Sequence, residues 1–188
     1  MPAPRLSLLA PSVAATQAVA GAIAGASVAG DIIVLAGEMG AGKTAFAQGF
    51  GHALGVNEPI TSPTFTLVHS YATTGRGGRR LTLHHADLYR LEQLAEVADL
   101  AFGELAEFDG IVLVEWGDVV AGVLGDHLEV RLDVIDDDDS DVDVDVEGDA
   151  DLIVPTRRCI TVTAGGKSWA HRWSGVALAL GTLGLSPC

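Results

Sequence analysis

The chain is 188 residues long, 48% hydrophobic and carries a formal charge of −14 at pH 7. That length fits one domain with a real core, and the acidic balance excludes the basic footprint of a protein that binds nucleic acid unaided, so any RNA role runs through a partner. The charge is uneven: Asp136 to Asp151 holds ten of the 25 acidic residues, and the remaining 15 acids against 11 Lys and Arg leave about −4 for the rest.

In chain order, Arg5 to Ala10 reads as a short strand. Pro11-Ser12 then starts a helix that runs to about Ser27, with Ser12 able to cap its orphan N–H groups. Val13 to Gly30 is apolar, but it is rich in Ala and Gly, contains Thr16 and Gln17, and follows no basic leader. Those features argue for a soluble helix instead of a membrane span or signal. The expectation is a cytoplasmic protein with no membrane contact.

Ile32 to Leu35 is a β-branched apolar run, the mark of a buried parallel strand. Directly after it stands Gly37-Glu38-Met39-Gly40-Ala41-Gly42-Lys43-Thr44, which fits G-x-x-x-x-G-K-[ST] in full. The glycines let the backbone curl so that successive N–H groups point at phosphates. Lys43 supplies a point charge for the β- and γ-phosphates. Thr44 offers its hydroxyl to Mg²⁺ and opens a helix to Leu54 whose positive end faces the anion. A chance Gly-rich turn has no reason to sit between a buried strand and a helix. The expected ligand is ATP with Mg²⁺, in a cradle reaching from Gly37 to Ala45.

Thr61-Ser62-Pro63-Thr64 is either an ordinary Ser-Pro turn or a segment whose hydroxyls sense the γ-phosphate or Mg²⁺. Thr64 to Tyr71 and Leu81 to His85 read as strands of a hairpin whose tip is Gly75 to Arg80. Arg76, Arg79 and Arg80 serve there as a solubilising tip or as a charged lid. Asp87 ends the second strand, where a carboxylate reaches a phosphate-bound Mg²⁺ or merely makes a turn. His84 and His85 are adjacent, so on a strand they face opposite sides, and structural roles are expected.

Leu91 to Phe108 is partly helical, and Ile111 to Val114 is a second fully apolar central strand. Glu115 follows it, and a carboxylate there is costly unless it faces a site, where it holds metal or positions water. Trp116 either stacks on a base or covers the core. Gly117 to Leu124 reads as a short helix, and Leu128 to Val134 with Cys159 to Thr163 as an antiparallel strand pair. The acidic segment between them is low in complexity and reads as a disordered, solvated loop; its Asp-x-Asp-x-Asp lacks the Gly and Glu offsets of a Ca²⁺ loop. Two cysteines, Cys159 and Cys188, are too few for a disulfide framework and read as reduced thiols.

Four segments together, GEMGAGKTAFAQGF, TSPTFTLVHSY, HHADLYRLE and VLVEWGD, resemble the TsaE (YjeE) family of bacterial ATPases in content, order and spacing, over roughly residues 31 to 118. The resemblance implies slow ATP hydrolysis within a complex with the TsaB and TsaD proteins, in the making of threonylcarbamoyladenosine in tRNA. It implies a nucleotide loop from Gly37 to Thr44, a metal-linked Asp87, a catalytic or metal-linked Glu115, Trp116 near the nucleotide, and Thr16 in the first helix beside it. The departures are the Arg/Gly-rich hairpin tip and the acidic insertion.

The expected fold is one α/β domain, P-loop NTPase-like, with a mainly parallel central sheet flanked by helices and an antiparallel hairpin portion. Lys43, Asp87 and Glu115 are the expected catalytic residues; Thr44, Asp87 and Glu115 are the expected metal ligands. The rival readings are a small-molecule kinase and a non-catalytic module that uses ATP to switch partner affinity.

Overall fold

The computed structural model describes residues 2–63, 66–74, 80–89, 102–107, 109–117, 124–135 and 157–188. Its strands are β1 (Arg5–Ala10), β2 (Ile32–Ala36), β3 (Val68–Thr73), β4 (Leu81–Asp87), β5 (Gly110–Glu115), β6 (His127–Ile135) and β7 (Arg157–Gly165). Its helices are α1 (Val13–Ala26), α2 (Lys43–Ala53), α3 (Phe102–Glu107) and α4 (Lys167–Gly181). The strands form one sheet in the order β1-β7-β6-β2-β5-β4-β3. Its centre, β6-β2-β5-β4, is parallel throughout, and antiparallel partners close both ends.

The two apolar runs take the middle of the sheet because both of their faces are covered. Every residue of β2 and β5 is buried. Ile33 and Leu35 point into the larger core, with Phe46, Phe50 and Trp169. Ile32 and Val34 point into a smaller core on the opposite face, with Phe102 and Ala106 of α3. The Ala- and Gly-rich stretch at the N-terminus becomes α1, capped by Ser12. A small residue of α2 lets the two helices touch: a Cβ on Gly49 would lie 2.6 Å from the Gln17 Cα of α1. No helix among the described residues is long and apolar enough to cross a membrane.

Three expectations are corrected. The first hairpin strand begins at Val68, not Thr64, because the Ser-Pro turn continues: the Thr66 and Leu67 amides both donate to Pro63 O, and Leu67 has φ 63°. Cys159 and Cys188 are joined in a disulfide across a Cα–Cα distance of 5.8 Å, not left as thiols. The chain end comes back to β1, where Leu9 N donates to Ser186 O, and this return brings the two sulfurs together. Helix α4 was not expected, although Trp169, Trp173, Val176 and Leu180 recur at helical spacing and three of them are buried. The acidic insertion 136–151, most of the helical expectation over 91–108, most of that over 117–124, and Arg76 and Arg79 lie outside the described residues.

Candidate phosphate and cation site

The parallel register builds the site. Asp87 ends β4, Glu115 ends β5, and the two are direct partners across the ladder. Leu35 of β2 pairs with Glu115 on the other side, so the loop that leaves β2 rises beside both carboxylates. Ligands of such sheets bind outside the carboxyl ends of the parallel strands.

The loop itself is held from within. Gly37 has φ 134° and Gly42, which precedes α2, has φ 106°; side chains rarely tolerate either conformation. Lys43 Nζ donates to Gly37 O at 2.7 Å and to Glu38 O at 2.8 Å, and lies 3.6 Å from the centre of the Trp116 ring. Trp116 is itself left-handed, with φ 61°, a strain that commonly collects at functional sites. Tyr89 packs against its ring at 5.2 Å.

The carboxylates meet hydroxyls. Thr44 Oγ1 donates to Glu115 at 3.1 Å, Ser62 donates to Asp87 Oδ2, and the Tyr89 amide donates to Asp87 Oδ1 at 3.0 Å. Lys43, Asp87 and Glu115 are all buried. A cavity of about 370 Å³ opens over them, lined by Met39, Gly40, Gly42, Lys43, Thr44, Ala45, Ser62, Asp87, Tyr89, Glu115 and Trp116. Two larger grooves, of about 740 and 640 Å³, run along α1. Size alone would select those; convergent polar groups select the smaller cavity.

The donors fit a hard cation: two carboxylates and two hydroxyls, with room for phosphate oxygens. Among the described residues no group of three or more His, Cys, Asp or Glu is arranged to hold a metal. An ion here would therefore rely on Thr44, Asp87, Glu115 and the phosphates themselves, the usual arrangement for Mg²⁺.

Of the expected site residues, Gly37, Glu38, Ala41 and Thr16 do not line the cavity, and Thr16 stands apart in α1, buried, with its hydroxyl donating to Ser12 O at 3.3 Å. Gly37, Glu38 and Ala41 act through their carbonyls: the first two anchor Lys43, and Ala41 O accepts from Arg158 Nε at 3.1 Å. Arg158 escaped the sequence reading because 117 residues separate it from the loop. His85, for which a structural role was expected, is fully buried and its Nε2 lies 2.9 Å from Glu115 Oε1. His84 faces the other way, against Ser70 at 2.9 Å, and burial lowers its pKa below the usual imidazole value.

The family profile described as threonylcarbamoyl adenosine biosynthesis protein TsaE matches residues 10–142. This chain belongs to the TsaE family. TsaE from Treponema pallidum is 42% identical over 98 residues, 52% of this chain and 68% of that protein. TsaE from Bacillus subtilis is 38% identical over 105 residues, 56% of this chain and 62% of that protein. TsaE from Streptomyces coelicolor is 37% identical over 145 residues, covering 76% and 85% of the two chains. Each is named for tRNA threonylcarbamoyladenosine biosynthesis. The crystal structure of YdiB from B. subtilis superposes with a TM-score of 0.67 at 27% identity, over 94% of this chain and 96% of that one. Strand β7 with Arg158 and helix α4 lie beyond the segment that the TsaE profile matches.

Proposed function

We propose that this chain is the Mg²⁺-dependent ATPase subunit of the machinery that makes threonylcarbamoyladenosine in tRNA. In this reading it works in the cytoplasm with TsaB and TsaD homologues and meets tRNA only through them. The observation that carries the proposal is the meeting of Lys43 and Thr44 of the phosphate loop with Asp87 and Glu115 over one cavity. Family membership supplies the pathway. The acidic body of the chain supports delivery of the output to proteins instead of RNA.

The loop amides and Lys43 hold the β- and γ-phosphates; Lys43, braced by two loop carbonyls and the Trp116 face, is aimed before the ligand arrives. Thr44, Asp87 and Glu115 hold the cation, directly or through its waters. A divalent cation held by these residues would supply charge neutralisation at the phosphate oxygens. One of the two acids, Glu115 by its place beside Thr44, accepts a hydrogen bond from the attacking water. Trp116 and Tyr89 wall the cavity against bulk solvent.

The pathway is tested in a bacterium depleted of its own TsaE. This chain should restore threonylcarbamoyladenosine in tRNA, and Lys43→Ala should not. Equal restoration by both, or by neither, refutes the reading. TsaB and TsaD homologues should co-purify with the chain more fully when ATP is present.

A further inference from the structure

His85 lies two residues before Asp87 on β4, so the two side chains leave the same face of the sheet. Its Nε2 stands 2.9 Å from Glu115 Oε1, the same oxygen that Thr44 Oγ1 meets at 3.1 Å. Its Nδ1 is buried with no hydrogen-bond partner among the described residues. These contacts fix the proton. On Nδ1 it would be a buried donor with nothing to meet, and the bare Nε2 lone pair would face a carboxylate oxygen. On Nε2 it donates to Glu115, and only a weaker acceptor is left unmet.

A buried imidazole with one idle nitrogen is a poor way to fill a core; leucine would do so without the desolvation cost. What the ring provides is a second hold on Glu115. The first hold, the Thr44 hydroxyl, is the group that turns to a phosphate-bound cation. Once it turns, His85 still fixes the carboxylate. We propose that His85 is a positioning residue whose Nε2–H pins Glu115 beside Thr44 and so sets how strongly a divalent cation couples to nucleotide binding. The proposal rests on the reading of this cavity as a Mg-ATP site.

The test is calorimetric titration of the full chain with ATP, once with MgCl₂ and once with EDTA. The readout is the gain in ATP affinity that Mg²⁺ provides. Gln places its amide nitrogen about where Nε2 sits, and Asn about where Nδ1 sits. His85→Gln should therefore keep the gain, while His85→Asn and His85→Leu should lose about 10- to 100-fold of it, the usual cost of removing a group that orients a ligand. Affinity in EDTA should stay at the wild-type level in all three. The Gln and Asn pair decides the matter even where Leu perturbs folding. Equal gains in Gln and Asn overturn the proposal, as does a matching loss of affinity in EDTA. Failure of the chain and its partners to hydrolyse ATP removes the catalytic reading alone, because the Mg²⁺-linked gain still judges His85.

Discussion

Replacing Gly37 by alanine should disable the phosphate loop while leaving the sheet in place. The added Cβ would lie 2.3 Å from the backbone oxygen of Leu132 and 3.3 Å from Ala41 Cβ. Leu132 belongs to β6, whose neighbouring residue Arg131 pairs with Ala36 of β2, so the ladder cannot retreat. The loop must move by about 1 Å to restore ordinary contact. Forcing alanine to φ 134° adds about 1–3 kcal/mol of strain. The movement carries Gly37 O, the 2.7 Å anchor of Lys43 Nζ. We expect ADP binding to weaken on the order of 100-fold, about 2.8 kcal/mol, as for other misplacements of ~1 Å. Gly30→Ala is the control: its φ is 93° but its Cβ meets nothing within 4 Å. It should cost about 1 kcal/mol of stability and no affinity. Calorimetric ADP titration and urea unfolding of both variants give the two numbers. Wild-type ADP affinity in Gly37→Ala would refute the reasoning, and so would an equal loss in Gly30→Ala.

The Cys159–Cys188 bond spans a sequence separation of 29 and should contribute about 3.6 kcal/mol by restricting the unfolded chain. A dithiol reductant and Cys188→Ser should lower the urea midpoint equally; no change in either refutes it. Arg172 donates to both oxygens of buried Asp31, which also accepts from Val28 N at 2.7 Å. Breaking a buried pair from one side costs about 3–5 kcal/mol. The Arg172 side chain is 27% exposed, and Asp31 keeps its amide donor, so Arg172→Ala should cost about 2 kcal/mol in urea unfolding. A loss under ~0.5 kcal/mol would contradict it. His84 has a lowered pKa because burial disfavours its charged form. The unfolded chain therefore binds more protons between the lowered value and 6.5, and His84 contributes stability that rises with pH through that window. His84→Gln should flatten that slope; an unaltered slope refutes the assignment.

The parts of the fold written in continuous apolar runs were legible. Ile32 to Leu35 and Ile111 to Val114 can only be buried strands, and the phosphate loop between the first run and Thr44 names its own chemistry. Glu115 stood out because it ends such a run and Asp87 because it ends a strand, and the parallel register then makes them neighbours. What escaped depends on distance in the chain. Arg158 meets Ala41, and Cys188 meets Cys159, only after β7 and the chain end return to the sheet. The contact of His85 with Glu115 was hidden for another reason. Alternation separated it from His84 and put it on the face of Asp87, but its partner Glu115 stands thirty residues on and reaches it only when β5 pairs beside β4. Helix α4 had a readable period at Trp169, Trp173, Val176 and Leu180, so its omission was a missed signal and not a missing one.

The direct measurement of hydrolysis at this cavity is inorganic phosphate release from ATP by the chain reconstituted with TsaB and TsaD homologues, with Mg²⁺ and then with EDTA. The wild-type complex should release phosphate only with Mg²⁺, and Asp87→Ala and Glu115→Ala should each lower the rate by at least ~100-fold. Phosphate release at the wild-type rate from both variants would contradict the assignment of the site.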